Sequence, residues 1–338
     1  MKKNKTWLLV SVCLLVLVSA ILSIGIGRYP ISPALTVQML FDKLLGHDLS
    51  EYDSTSLTVL FTLRLPRVTA DILVGAGLAT AGAVYQAIFQ NQLVSSDILG
   101  VSNGASVGAA LAMVLGWNRL GVQGLAFVFG VGTVCFAVLL ASAFHERGNM
   151  TLVLSGMIIS GLMSSALSFI KFSADVNNTL PEIVYWLMGS MASVTLSDVK
   201  SVLIPIVLSH LILFALSWKI NIISMGEDEA KLLGVNVLLV KIICIFCSSM
   251  LTVCAVCISG VIGWFGLIVP HISRLVIGSD NRKMLPFCTG LGGLLMVILD
   301  TVARTALISE IPIGILTGGI GTIFFSVLIV IRRATYET

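Results

Sequence analysis

Charge is scarce in this sequence. Aspartate, glutamate, lysine and arginine make up 11% of its 338 residues, where a soluble domain carries about a quarter. That shortage excludes an ordinary solvated globule. The apolar runs lack the alternation of a barrel strand, which excludes a lipid-facing β-barrel. No Gly-x-x-x-x-Gly-Lys-Ser/Thr loop occurs, so the chain has no P-loop for nucleotide. His-Glu-x-x-His and Gly-x-Ser-x-Gly are also missing, which removes the corresponding membrane proteases. Only four histidines are present, and none accompanies Cys244-x-x-Cys247 or Cys254-x-x-Cys257. These pairs have metal or redox spacing, but both fall within one apolar run, where cysteine serves as a small hydrophobe. Seven cysteines also cannot form a complete set of pairs. A net charge of +3 forms no patch of the size nucleic acid requires.

What the sequence has is apolar length. Hydrophobic residues make up 57% of the chain, and the mean hydropathy is +1.03. Runs of near twenty apolar residues recur, each long enough to cross roughly 30 Å of hydrocarbon as a helix. They predict an all-α bundle of about ten spans, at 7–24, 66–88, 97–115, 122–143, 151–170, 198–217, 237–259, 262–277, 284–303 and 312–331. The chain reads as a single membrane domain over 1–338. Lys2, Lys3 and Lys5 precede the first run, and no small-x-small cleavage site follows it, so that run reads as an uncleaved helix. Lysine and arginine placement favours an inside N-terminus. Lys219, Lys231, Lys241, Arg274, Arg282, Lys283, Arg147, Arg332 and Arg333 join it on the inner side. Arg28, Lys43, Arg64, Arg67, Arg119, Lys171, Lys200 and Arg304 fall outside. Both termini are therefore expected in the cytoplasm.

Two connections exceed simple loops. Residues 25–65 form an outer segment with a short surface helix at Val37–Leu45. Residues 218–236 form an inner one, whose centre reads as a short helix between Gly226 and Gly234. Pro181–Met188 is too short to span and reads as an outer re-entrant or interfacial helix. Gly75, Gly77, Gly82, Gly104 and Gly108 suit close helix approach. Pro270, and the stretch from Asn91 to Gly104, suggest bent or broken helices, which line a transport path or merely shape the bundle. Asp71 and Asp300 each stand four residues from an arginine, Arg67 and Arg304, so i,i+4 pairing is expected. His271 has no second ligand in the sequence and reads as a cap or packing residue.

Several of these residues fall in ordered blocks that resemble the FecCD family of bacterial ATP-binding-cassette importer permeases. Arg64-Leu-Pro-Arg67, with Gly75, Gly82 and Gln86, opens the resemblance. Asn91-Gln-Leu-Val94, Asp97-Ile-Leu-Gly100 and Gly104-Ala105 follow, then Tyr185-Trp-Leu-Met-Gly-Ser190. The most diagnostic stretch is Phe265-Gly-Leu-Ile-Val-Pro-His-Ile-Ser-Arg274, with Gly260 before it and Gly278-Ser-Asp280 after. Asp300-x-x-x-Arg304, Glu310-Ile-Pro-Ile-Gly314, Thr317 and Gly321 close it. Trp264 stands where phenylalanine is commoner, and Gln92 where the family usually has proline.

The resemblance implies the fold of the cobalamin and iron-chelate importer permeases, in a bacterial cytoplasmic membrane. It implies a second permease subunit, identical or paralogous, and two cytoplasmic ATPase subunits that use ATP and Mg. It also implies an extracytoplasmic substrate-binding protein. The chain itself is expected to bind no cofactor or metal, to contact lipid but no nucleic acid, and to be no enzyme. By the same likeness, Arg64, Arg67 and Arg304 would dock the binding protein. Gly226, Glu227, Asp228, Glu229, Ala230, Leu233 and Gly234 would form the helix that couples to the ATPase. Gly148, Asn149, Met150, Thr151, Gly156, Ser160 and Gly161 are candidates for gate or pore. The expected cargo is an iron chelate, above all a ferric siderophore, with haem, cobalamin and molybdate as alternatives. An ion-coupled secondary transporter and an assembly protein without a cargo path are the competing classes.

Overall fold

The structure is a computed structural model and describes residues 6–144 and 148–336. Lys2, Lys3, Lys5 and Arg147 lie outside the described residues, as do the side chains of Arg332 and Arg333. In chain order the helices are α1 (Thr6–Gly25), α2 (Pro33–Leu45), α3 (Ser54–Thr58), α4 (Leu65–Ile88), α5 (Val101–Val114), α6 (Arg119–Ala143), α7 (Asn149–Ser173), α8 (Thr179–Leu187), α9 (Leu196–Ala215), α10 (Ser217–Met225), α11 (Glu227–Leu232), α12 (Val237–Ser259), α13 (Phe265–Ile277), α14 (Asn281–Thr305) and α15 (Ile313–Tyr336). A π-helical turn, Val59–Arg64, joins α3 to α4.

Ten of these helices occupy the ten expected spans. Among the described residues seven are long and apolar enough to cross a membrane, and α5, α13 and the apolar stretch Ile313–Leu328 of α15 are shorter. At 1.5 Å per residue, α13 is only about 20 Å long. Three expectations need correction. The segment 25–65, expected outside, is a connection only as far as Asp53, because Ser54 onward is already helical and runs unbroken into α4; the Asp53 carboxylate accepts from Ser56 N at 2.9 Å and caps it. The segment 218–236, expected inside, is mostly helix, since α10 fills its first part. Pro270 does not break α13: the helix continues through it. Of the stretch from Asn91 to Gly104, residues 91–100 are non-helical and Val101 onward is helix, so the span expected from residue 97 begins at Val101.

α4 sits at the centre. From Val74 to Phe89 every residue is buried, so the helix has no face left for lipid. It packs on α14, α12, α13 and α9, with α1 outside α14. Glycine permits the approach. A Cβ on Gly82 would lie 1.9 Å from the Gly266 carbonyl oxygen of α13, and one on Gly75 would lie 2.3 Å from that of Gly292 on α14. Lipid tails are as apolar as leucine, so this close backbone packing must hold the helices together. α5, α6 and α7 form a second group, where a Cβ on Gly108 would lie 2.3 Å from Leu125 O. α12 joins the two groups, and its Cys244, Cys247, Cys254 and Cys257 are buried there as free thiols. His271 is buried and packs edge-on against Phe324 of α15, with ring centroids 6.0 Å apart.

Gly82→Val should therefore cost about 3 kcal/mol or more, since the backbone of α13 cannot yield to the added bulk. Gly124 and Gly132 face open space, and alanine at either should leave stability unchanged or raise it by about 0.5–1 kcal/mol. Thermal unfolding in detergent measures both.

Candidate functional site

Two polar clusters lie at opposite ends of α4. At its N-terminal end the π-helical turn carries Arg64 inward rather than outward. Arg64 donates from Nη1 to Ile24 O at 2.7 Å and to Gly25 O at 3.2 Å, and from Nη2 to Tyr29 O at 2.6 Å. Arg304, at the C-terminal end of α14, donates to Ile26 O at 2.8 Å and to Ser23 Oγ at 2.8 Å, and also reaches Ser23 O. Gly27 fits between the two guanidinium groups. Its φ is +155°, and a Cβ there would lie 2.5 Å from Arg64 Nη2.

Arg67 lies between two carboxylates. Nε and Nη2 donate to the two oxygens of Asp300 at 2.8 Å each, while Nη1 and Nη2 donate to Glu310 at 3.0 and 2.9 Å. The fixed fork of guanidinium suits such double pairing. Only one of the two expected i,i+4 pairs forms: Arg304 Nε lies 3.7 Å from Asp300 Oδ2. Arg67 reaches across to α14 instead of turning to Asp71. The Asp71 carboxyl is buried beside that of Asp300, and among the described residues no N–H or hydroxyl donor reaches it. All three arginines named by the sequence thus meet at one rim, in a recess of about 330 Å³ that Arg28 and Glu310 also line. Their guanidinium groups mainly satisfy the rim's own carbonyls and carboxylates. Arg28 is the exposed arginine there, and the motif gave it no distinction.

The opposite end holds α11. Gly226, with φ +155°, separates it from α10, and Gly234, with φ +75°, closes it; Val235 N bonds back to Ala230 O at 3.0 Å. Ala230 is fully buried and anchors the helix. The other side points away from the bundle: Leu232 is 88% exposed, and Leu233, Met225, Asp228 and Glu229 are also exposed. Lys231 pairs with Asp228 at 2.9 Å, and this hydrogen bond holds the ammonium pKa above its ordinary value. Glu227 turns inward to Lys241 of α12. Asp280, capping α14 nearby, donates nothing and accepts from Asn221 Nδ2 at 2.6 Å. Arg282 first, then Asn221, holds its pKa down to about 2.

The gate candidates divide along α7. Gly156 and Ser160 face inward: a Cβ on Gly156 would lie 2.5 Å from Ile98 O, and Asn103 Nδ2 donates to Ser160 Oγ at 2.6 Å. Gly148, Met150 and Gly161 are exposed, Thr151 is half-buried, and Asn149 Nδ2 donates to Ile88 O at 3.3 Å. Beyond them Gly161, Ser164, Ser165 and Ser168 form an exposed stripe of small residues, flanked by exposed Met157, Leu162 and Phe169.

Residues 14–331 match the FecCD transport family. The chain belongs to that family. It is 40% identical over 322 residues to the molybdate import system permease protein MolB of Haemophilus influenzae, covering 95% of each chain. It is 35% identical over 281 residues to a probable iron chelatin transport system permease protein of Helicobacter pylori, covering 83% of this chain and 85% of the other. A solved structure of a metal-chelate type ABC transporter in an inward-facing conformation superposes with a TM-score of 0.85 at 38% identity, over 95% of this chain and 98% of that one. As a FecCD member with these helices, the chain is a multi-pass membrane permease.

Arg67→Met would leave Asp300 buried without its two charge-assisted bonds, so it should cost about 3–5 kcal/mol. Arg28→Met, at an exposed position, should stay within about 0.5 kcal/mol. Unfolding midpoints of the two variants in the same detergent test the contrast.

Proposed function

We propose that the chain is the permease subunit of an ATP-binding-cassette importer in a bacterial inner membrane, with both termini cytoplasmic. It would form half of a translocation path whose other half is a second permease. The FecCD match over residues 14–331 carries this reading. The exposed stripe of α7 supports it, since small and polar residues there suit a helix or water rather than lipid alone. The absence of a P-loop from the sequence agrees with ATP hydrolysis on separate ATPase subunits.

On this reading α11 seats against the ATPase, with Leu232 and Leu233 as apolar contacts within a charged edge. The binding protein docks at the opposite rim. Arg64, Arg67 and Arg304 contribute there by fixing the rim's shape and by any donors left free, and Arg28 offers an exposed cation. Cargo passes without covalent change. An iron chelate, such as a ferric siderophore, is the first reading, supported by the iron chelatin relative and the metal-chelate structure. Molybdate is the second, supported by 40% identity to the molybdate permease across 95% of both chains.

Proteoliposomes containing the chain, its partner ATPase and its binding protein should take up cargo only with ATP and Mg. Parallel assays with radiolabelled molybdate and ferric siderophore should give a strong preference for one. Uptake by the chain alone, driven by an ion gradient, would overturn the importer reading.

A further inference from the structure

Lys241 is the only buried lysine among the described residues. It lies in the second turn of α12, where the sequence offered only an inner-side positive charge beginning an apolar span. An ammonium group out of water needs acceptors. Here they come from two other helices: Glu227 Oε1, at the first residue of α11, and Asn149 Oδ1, at the first residue of α7, 2.6 Å away. Asn149 uses its own amide nitrogen to donate to Ile88 O, at the end of α4. One cation on α12 therefore joins the first residues of α7 and α11 to the last residue of α4.

These elements differ in how firmly they are held. α4 and α12 are the most buried long helices of the bundle, whereas α7 buries only Ser155, Gly156, Ile159 and Leu167. α11 has six residues and is flanked by Gly226 and Gly234, both at positive φ. A displacement of α11 carries Glu227 with it. Lys241 then either follows or loses an acceptor inside the protein, and the second course is strongly disfavoured. Following Glu227 moves the cation relative to Asn149, at the root of the helix that carries the gate candidates.

We propose that Lys241 is a positioning residue that transmits the position of α11 to α7, so that movement at the ATPase-facing end reaches the path. This rests on the importer reading for the meaning of the movement, but the physical link belongs to this chain alone. Lys241→Met deletes the cation while keeping most of the apolar stem. Glu227 has a side chain 30% exposed, so it can turn to water in that variant. Glu227→Gln leaves Lys241 in place with a neutral acceptor. Arginine at 241 supplies a cation with enough donors for both oxygens.

The test has two parts. In the complete importer, K241M should assemble with the ATPase and keep its basal ATP hydrolysis, while cargo moved per ATP falls about tenfold, the scale of one charge-assisted bond. E227Q should fall by a similar factor, K241R should regain most of the loss, and K241M with E227Q should be no worse than K241M alone. Wild-type coupling in K241M, or losses that multiply in the double variant, would overturn the proposal. The second part uses the full chain in nanodiscs, with exposed Cys13 and Cys135 replaced by serine. Spin labels at exposed positions 150 and 231 should give a narrow distance distribution that K241M and E227Q broaden. An unchanged distribution in both variants overturns the link whatever the cargo. Broadening in a chain that takes up nothing with ATP, ATPase and binding protein supports the link and removes the importer reading.

Discussion

The bundle depends on direct backbone contact between α4 and its neighbours. In a bilayer no water is gained by bringing two apolar helices together, so association rests on dispersion and fit. Gly75 against Gly292 and Gly82 against Gly266 provide that fit. Once α4 is enclosed by α14, α12, α13 and α9, its two ends become fixed points. The arginine rim is built around one, and the junction of Ile88, Asn149 and Lys241 around the other. The clusters lie far apart along the chain's path but share this axle.

The rim illustrates how burial alters the meaning of charge. Arg67, Asp300 and Glu310 come from α4, α14 and the connection that follows α14. Their double fork fixes these segments against one another with directional bonds, which hydrophobic contact alone does not provide. Arg64 and Arg304 do the same for the last turn of α1 and the connection after it, by occupying the carbonyls of Ser23, Ile24 and Gly25 and those of Ile26 and Tyr29. The cost of desolvating three guanidinium groups is offset by acceptors arranged for them, and that requirement ties the rim to a single geometry.

Most of the fold was legible because lipid simplifies the reading. A span needs about twenty apolar residues, and the chain's runs locate ten helices to within a few residues. The helical start at Ser54 was less legible, since Ser54–Arg64 carries a polar first turn and a π-helical insertion that blur the apolar run. α10 was hidden because its residues continue the apolar character of α9. The sequence placed Gly226–Gly234 well: two glycines around a charged stretch mark a short helix in any environment. It placed the three arginines together as well, but spacing along one helix cannot reveal that Arg67 faces α14 rather than Asp71. Lys241 carried a usable signal, a lone ionisable residue just inside an apolar span. Its two acceptors come from residues 92 and 14 positions away, and such contacts are visible only in the folded chain.

The burial of α4 also bears on how the protein is made. Among the described residues, the span that contains α4 has the lowest hydropathy of the seven long ones; α4 is rich in glycine, alanine and threonine, and it contains Asp71. Of the helices that enclose it, α9 begins at residue 196 and α12, α13 and α14 only from residue 237 onward. During synthesis, then, the centre of the finished bundle enters the bilayer before the partners that cover its small-residue grooves and its carboxyl group. It waits there while roughly half of the chain is still to be translated. In the interval between insertion and enclosure, its grooves are open to pairing with other helices.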